Sequence, residues 1–430
     1  MHERVYRFLF NDEDARVCKD IPPNACNDQP RNFLIHIVAL ALTKTGDQFM
    51  DPKITLSWLL TTLGSPAFYL SLLVPVHNTF SLLPQMLVAA AIRRIAIRKW
   101  LWSAGALGQS VALLYMGYVA LNLEGGDAGL AILCALLVFS LSRGVCSVAQ
   151  KDVLGKTVAK TRRGRVSGYT ETVSGVLTLI LACWLMYTGE RTLDVVAGIL
   201  VFAALLWIIA ALVFAQMSEE PGATGGGANA LEEAVAQLSL LRTNAEFRKF
   251  VLVRASLLGS ALAAPYLVAL VQRNAGSELS VLGGLLLAAS LASFVSGSTW
   301  GRLADHSSAR CMTIAGLLAG SAGLLALLMV AFGIGSMLPL AACLFLLYLA
   351  HAGVRVGRKT HLVDMASADD RSAMVAVSNS LIGLVLLCFA GVGAVISQWH
   401  LNAGLVFFSL LAIGGALLAL SLKEVQQEAS

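Results

Sequence analysis

The chain has 430 residues, of which 57% are hydrophobic and 13% charged, and its mean hydropathy is +0.74. Soluble domains carry roughly 25% charged residues, so a soluble globular protein is excluded. The apolar runs recur at about 20 residues, the length of a helical span and not of a barrel strand. The net charge of +5 then reflects Lys and Arg gathered on one membrane side, and not nucleic-acid binding.

In chain order, residues 1–32 form a polar arm of mixed charge with no apolar core of a cleavable signal. Cys18 and Cys26 lie in it; a metal or disulfide role for them lacks a second pair of ligands. Other cysteines, such as Cys134, Cys183, Cys343 and Cys388, fall in apolar runs and read as small hydrophobes. Twelve spans follow. The first, 33–60, is interrupted by Lys44, Asp47, Asp51 and Lys53, so its middle is kinked or faces water. Gly64, Ser65 and Pro66 make the turn into span 2, which runs to 92 and holds Pro75, His77, Asn78 and Pro84. Spans 3 to 6 are 100–121, 128–150, 166–187 and 193–217. A polar linker, 218–247, starts Gly-rich and ends as an amphipathic helix with Leu231, Val235, Leu238 and Leu241 on one face. Spans 7 to 12 are 248–272, 279–300, 311–333, 337–357, 372–397 and 402–422, and 423–430 is a polar tail. The expected organisation is therefore an all-α integral membrane protein with a six-span unit at 33–217 and another at 248–422.

Arg93, Arg94, Arg98 and Lys99 sit between spans 2 and 3, and Lys151, Lys156, Lys160, Arg162, Arg163 and Arg165 between spans 4 and 5. Arg302 and Arg310 follow span 8, and Arg358, Lys359 and Arg371 follow span 10. The opposite loops hold Arg191 and Arg273 and little else. This bias predicts a multi-pass protein of a bacterial-type inner membrane with both termini and the linker cytoplasmic. The halves are weakly similar: 151–168 lies on 359–376 without gaps, matching Lys151 to Lys359 and Arg163 to Arg371. Between spans 8 and 9, GRLADHSSAR at 301–310 reads as a polar turn, with Asp305 capping the next helix. Its counterpart in the first half is RRIAIRK at 93–99.

On GRLADHSSAR, its degenerate counterpart at 89–99 and the 6+6 layout about a linker, residues 33–422 resemble the major facilitator superfamily of secondary transporters. The resemblance implies two six-helix bundles around a central cavity that opens alternately to each side, with binding near the midplane. It implies that spans 1, 4, 7 and 10 line that cavity. It also implies a gating latch at Gly301, Asp305 and Arg310. In the first half Ala89 and Arg93, followed by Arg94, stand where the pattern has Gly and an acid, so the latch lies mainly at Asp305.

An ionisable side chain in a span costs several kcal/mol unless paired or hydrated, so each is a functional candidate. These are Lys44 and Asp47 on span 1, Arg143 on span 4, Arg254 on span 7, and His351 and Arg355 on span 10. Lys44 and Asp47 share a helix face and can pair with each other; Asp47 is a proton-coupling candidate, or half of an ion pair at a kink. Asp51 and Lys53 read as interfacial. Arg143, Arg254 and Arg355 suit an anionic substrate, or a gate in which Arg143 meets Asp152 or Asp305; Arg254 can also snorkel. His77 and Asn78 are candidates for substrate hydrogen bonding, or a polar kink. Glu171 is a possible proton carrier, His351 a pH-linked group, and His36 interfacial. GKT at 155–157 lacks the glycine of a phosphate loop, and HExxH, paired CxxC and GxSxG are absent. No enzyme, metal or cofactor is expected. The expected function is alternating-access transport of a small solute, favouring an organic anion, coupled to protons, by a monomer in the lipid bilayer. A drug-type efflux pump and a non-transporting sensor or scaffold are the alternatives.

Overall fold

A computed structural model describes residues 23–82, 95–159, 162–187, 192–222, 240–366 and 371–425. Arg93 and Arg94 lie outside these residues, as do most of the arm and the amphipathic part of the linker. Every regular element described is a helix. The first half holds α1 (Pro23–Phe49), α2 (Thr55–Thr62), α3 (Ala67–Leu82), α4 (Lys99–Asn122), α5 (Gly125–Thr157), α6 (Arg163–Tyr187) and α7 (Thr192–Ala215). The second holds α8 (Leu240–Thr243), α9 (Ala245–Ser256), α10 (Gly259–Ala275), α11 (Leu279–His306), α12 (Ser308–Ala331), α13 (Met337–Met365), α14 (Arg371–Trp399) and α15 (Leu401–Ala419). Among the described residues, 10 stretches are long and apolar enough to cross a membrane, and they match spans 3 to 12. Span 1 misses this mark because it is broken and charged; α3 is the described part of span 2.

Several expectations need correction. The arm is not separate from span 1 over 23–32, because α1 starts at Pro23, a residue suited to a first helical turn. Its start is held by Arg31 Nη2 donating to the Gln216 carbonyl (3.0 Å) and Asn32 Nδ2 to that of Ser218 (2.9 Å). His36 is not interfacial. It is fully buried and bonded through Nε2 to Thr157 Oγ1 at 2.9 Å, because the last turn of α5 packs over it. Cys26 is disulfide-bonded. The island at 301–310 is not a turn: 301–306 completes α11, and Ser307 alone separates it from α12. Asp305 does not cap α12. Ser307 does, its Oγ accepting from Arg310 N at 3.1 Å and donating to Glu424 Oε1 at 2.6 Å.

Within each half the helices meet through small residues, which let backbones approach where lipid gives no hydrophobic drive. Gly320 of α12 is such a point: a Cβ there would stand 2.5 Å from the Ser409 carbonyl of α15. Four glycines with positive φ close the turns on one face: Gly64 (68°) and Gly125 (60°) in the first half, Gly276 (102°) and Gly333 (78°) in the second. They occupy corresponding turns, so the two halves repeat. The opposite face carries α1's start, the linker and Glu424. There Glu219 accepts from the Arg98 and Lys99 amides (3.0 and 2.7 Å) and from Lys156 Nζ (3.0 Å), fixing the linker's start to the head of α4.

The halves meet through α3 with α14, α6 with α11, and α2 with α10. Gly283 of α11 lets α6 come close, its Cβ position 2.8 Å from both Ala182 O and Met186 N of α6. Gln272 Nε2 crosses to Thr62 Oγ1 at 2.6 Å near the glycine-turn face. One apolar core joins both halves at that level. Toward the terminus-bearing face the second half keeps a separate cluster around Phe247, Phe250, Trp300 and Met312. The halves are thus closed together at the glycine-turn face and part toward the other.

Candidate functional site

A cavity of about 310 Å³ lies between the halves, and the break in span 1 opens onto it. The break follows from Asp51-Pro52. Proline supplies no amide and pushes the residue before it out of helical geometry. Asp51 Oδ1 then accepts from Lys53 N (2.7 Å) and Ile54 N (3.2 Å), holding the start of α2. Asp51 and Lys53 are therefore not interfacial; both line the cavity. Tyr348 of α13 was not among the expected residues. Its hydroxyl reaches Asp51 Oδ1 at 3.4 Å, and Lys53 Nζ sits 5.6 Å from its ring centre. The clue was available: Tyr348 stands seven residues, two turns, before Arg355, on the same face of α13.

Lys44 and Asp47 line the cavity as expected but do not pair with each other. Lys44 bonds to Glu171 of α6, and Asp47 pairs with Arg143 of α5. Each finds its counter-ion on a neighbouring helix of the same half, which satisfies four ions instead of two. Arg143 accordingly meets neither Asp152 nor Asp305. Asp152 is held by Arg98 and by Lys156 at 2.7 Å, and Asp305 is exposed. Gln48, beside Asp47, accepts from Thr178 of α6 and was also missed.

His77 and Asn78 of α3 line the cavity, His77 with Nδ1 3.4 Å from Ser140 Oγ. His351 is not in the lining; its Nδ1 bonds to Ser260 Oγ of α10 at 3.0 Å. Arg254 does not snorkel and is not in the lining. It is 7% exposed and donates to Ser378 Oγ and Asn379 Oδ1 (2.8 Å) of α14. Arg355 is in the lining, exposed, and has no ion-pair or hydrogen-bond partner among the described residues. At the expected latch, Gly301 touches nothing where a Cβ would be, and Arg310 Nε lies 3.8 Å from Glu424 Oε1 within its own half.

No protein-family profile matches the sequence, and no curated protein does. Solved structures do match in shape. A point mutant of the nucleoside transporter NupG aligns with TM-score 0.66 and 11% identity, covering 91% of this chain and 100% of that one. A POT family transporter in complex with a thioalcohol-conjugated peptide aligns with TM-score 0.67 and 14% identity, over 94% and 98%. A D-xylose-proton symporter gives 0.64 and 13%, over 91% and 98%. The chain has the major facilitator fold. In that fold the cavity between the halves is the place where a solute sits, and here it holds Lys44, Lys53, Arg143 and Arg355 against Asp47, Asp51 and Glu171.

Proposed function

We propose that the protein is a secondary transporter that moves a small organic anion by alternating access, coupled to protons. The observation that carries this is Arg355, a cation facing the cavity with no hydrogen-bond or ion-pair partner among the described residues, in a lining where Asp47 and Glu171 are ion-paired and Asp51 is held by Tyr348 and two backbone amides. A guanidinium stays charged and forks onto a carboxylate or phosphate. The excess of cationic over acidic side chains argues against a cationic drug as cargo.

Coupling follows from the two ion pairs. An anion drawn in by Arg355 competes for Arg143. If it takes that guanidinium, Asp47 is left without a counter-ion in a poorly hydrated site and binds a proton. Glu171, paired with Lys44 and more exposed than Asp47, then passes protons between Asp47 and the open face. Closure at the glycine-turn face and separation at the other support an alternating cycle caught in one of its states.

The test is uptake into proteoliposomes under an imposed pH gradient, for a panel of organic anions, sugars, peptides and cationic drugs. Gradient-driven uptake of one or more anions is expected. Uptake confined to cations or neutral solutes, or no response to the gradient, overturns the anion or the proton part respectively.

A further inference from the structure

A second cavity, of about 330 Å³, lies between the halves at the glycine-turn face and shares no lining residue with the first. Thr61, Gly64 and Ser65 line it from one half, and Gln272, Arg273 and Ser277 from the other. Buried Leu70, Ala269 and Leu401 add apolar lining, and offer no polar side chain. Arg273 is exposed and has no ion-pair or hydrogen-bond partner among the described residues. The rest of the polar lining is mostly acceptors. Thr61 Oγ1 donates its proton to the Ser57 carbonyl (2.9 Å) and Ser65 Oγ to that of Gly125 (2.8 Å), so each has only lone pairs left to offer. Gln272 follows suit. Thr62 donates its hydroxyl proton to the Trp58 carbonyl at 3.0 Å, so it can only accept from Gln272, and Nε2 faces it at 2.6 Å. Oε1, on the other branch of the amide, is left with no partner in a side chain 3% exposed. A buried amide oxygen without a donor is costly and calls for one.

We propose that this cavity is a binding site, separate from the transport cavity, for an anion that carries several hydroxyl groups, such as a sugar acid. Arg273 takes the carboxylate, and the hydroxyls donate to Thr61, Ser65 and Gln272. An ammonium group could donate as well, but the lining holds no carboxylate to balance its charge. The ligand bonds to both halves, so it fits only while they are closed at this face, and it holds them closed. It is therefore an inhibitor of the cycle. That consequence rests on the alternating-access reading above; the binding does not.

The experiment is calorimetric titration of the full chain in neutral detergent with gluconate, its neutral counterpart sorbitol, and hexanoate, which keeps the carboxylate and lacks the hydroxyls. Gluconate is expected to bind, and the other two about tenfold or more weaker, for the loss of a charge-assisted contact or of the hydroxyl bonds. Arg273→Gln should bring gluconate down to the affinity of sorbitol. Arg273 is exposed, so the melting temperature without ligand should hold, which shows that the variant is folded. Gln272→Met should remove the preference for gluconate over hexanoate; a loosened closure alone would lower both affinities and keep their ratio. Absence of gluconate binding, or binding indifferent to Arg273→Gln, overturns the site. If binding is lost in Arg355→Gln instead, gluconate sits in the transport cavity, and the second site falls while the anion reading stands. Gluconate should also raise the labelling of a cysteine at Glu171 from the terminus-bearing face. Binding without that rise overturns the inhibition and leaves the site. A phosphatidylglycerol headgroup offers the same chemistry, an anion with hydroxyls. The titration is therefore repeated in nanodiscs of phosphatidylcholine with and without phosphatidylglycerol. If that lipid competes with gluconate in the native protein, the cavity belongs to lipid and the sugar acid is overturned.

Discussion

Asp47 shows what a single residue discloses and what it hides. That it matters was legible, because a carboxylate within an apolar run needs a reason to be there. Its partner was not, because Lys44 on its own helix and Arg143 on α5 are equally plausible until the helices are packed. Arg254 and His351 fail for a related reason. A helix that is apolar nearly all round does not say which face meets a neighbour and which meets a water-filled cavity, and both residues turned to neighbours. Asp47→Asn should abolish uptake driven by a pH gradient while leaving solute exchange partly intact, as followed in proteoliposomes with and without the gradient. For the second pair, Lys44→Glu should depress gradient-driven transport. Adding Glu171→Lys should recover much of it, since the reversed pair can form in the same place. The pair is partly exposed and contributes at most about 1 kcal/mol to stability, so the melting temperature should hardly move in either variant.

Helices and their ends were read well in number and less well in extent. Polarity marks where the membrane ends, and a helix can continue beyond it. The segment 301–306 looked like a turn because it is charged, yet α11 continues through it until Ser307 supplies the cap for α12. The break at Asp51-Pro52 was legible as a kink; its place in the cavity wall required the position of α13. Asp51→Ala removes the acceptor for two amides at the start of α2 and for Tyr348. The loss of the cap alone should cost about 1 kcal/mol, visible as a lower midpoint of thermal unfolding in detergent. Gly283 makes a sharper case. A Leu there meets the α6 backbone, which cannot give way as a side chain can. Gly283→Leu should force the halves apart at the glycine-turn face, and a cysteine introduced at Thr62 should then be labelled faster from that side.

For the molecule as a whole, the layout of six and six spans about a linker could be counted from apolar runs and basic loops. The conformation could not, because one sequence serves every state of the cycle. In the present state Asp305 is exposed, at the face where the halves part. If it forms a latch, the latch closes when that face does. Asp305→Ala should therefore favour the present state. The check is the labelling of a cysteine at Glu171 from the terminus-bearing face, which should rise relative to the parent; an unchanged ratio would remove the latch from Asp305.

The four glycine turns have a consequence for how the molecule meets the outside. Each of these turns is only a few residues long, so among the described residues that face offers no lid and no loop of a length that a protease can grip. Closure there has to be done by the helix ends themselves, Trp58 and Thr62 against Gln272. Protease added to sealed vesicles should then leave the chain whole when the glycine-turn face is outward and cut it when the vesicles are inverted, and that difference reads the orientation of the protein directly.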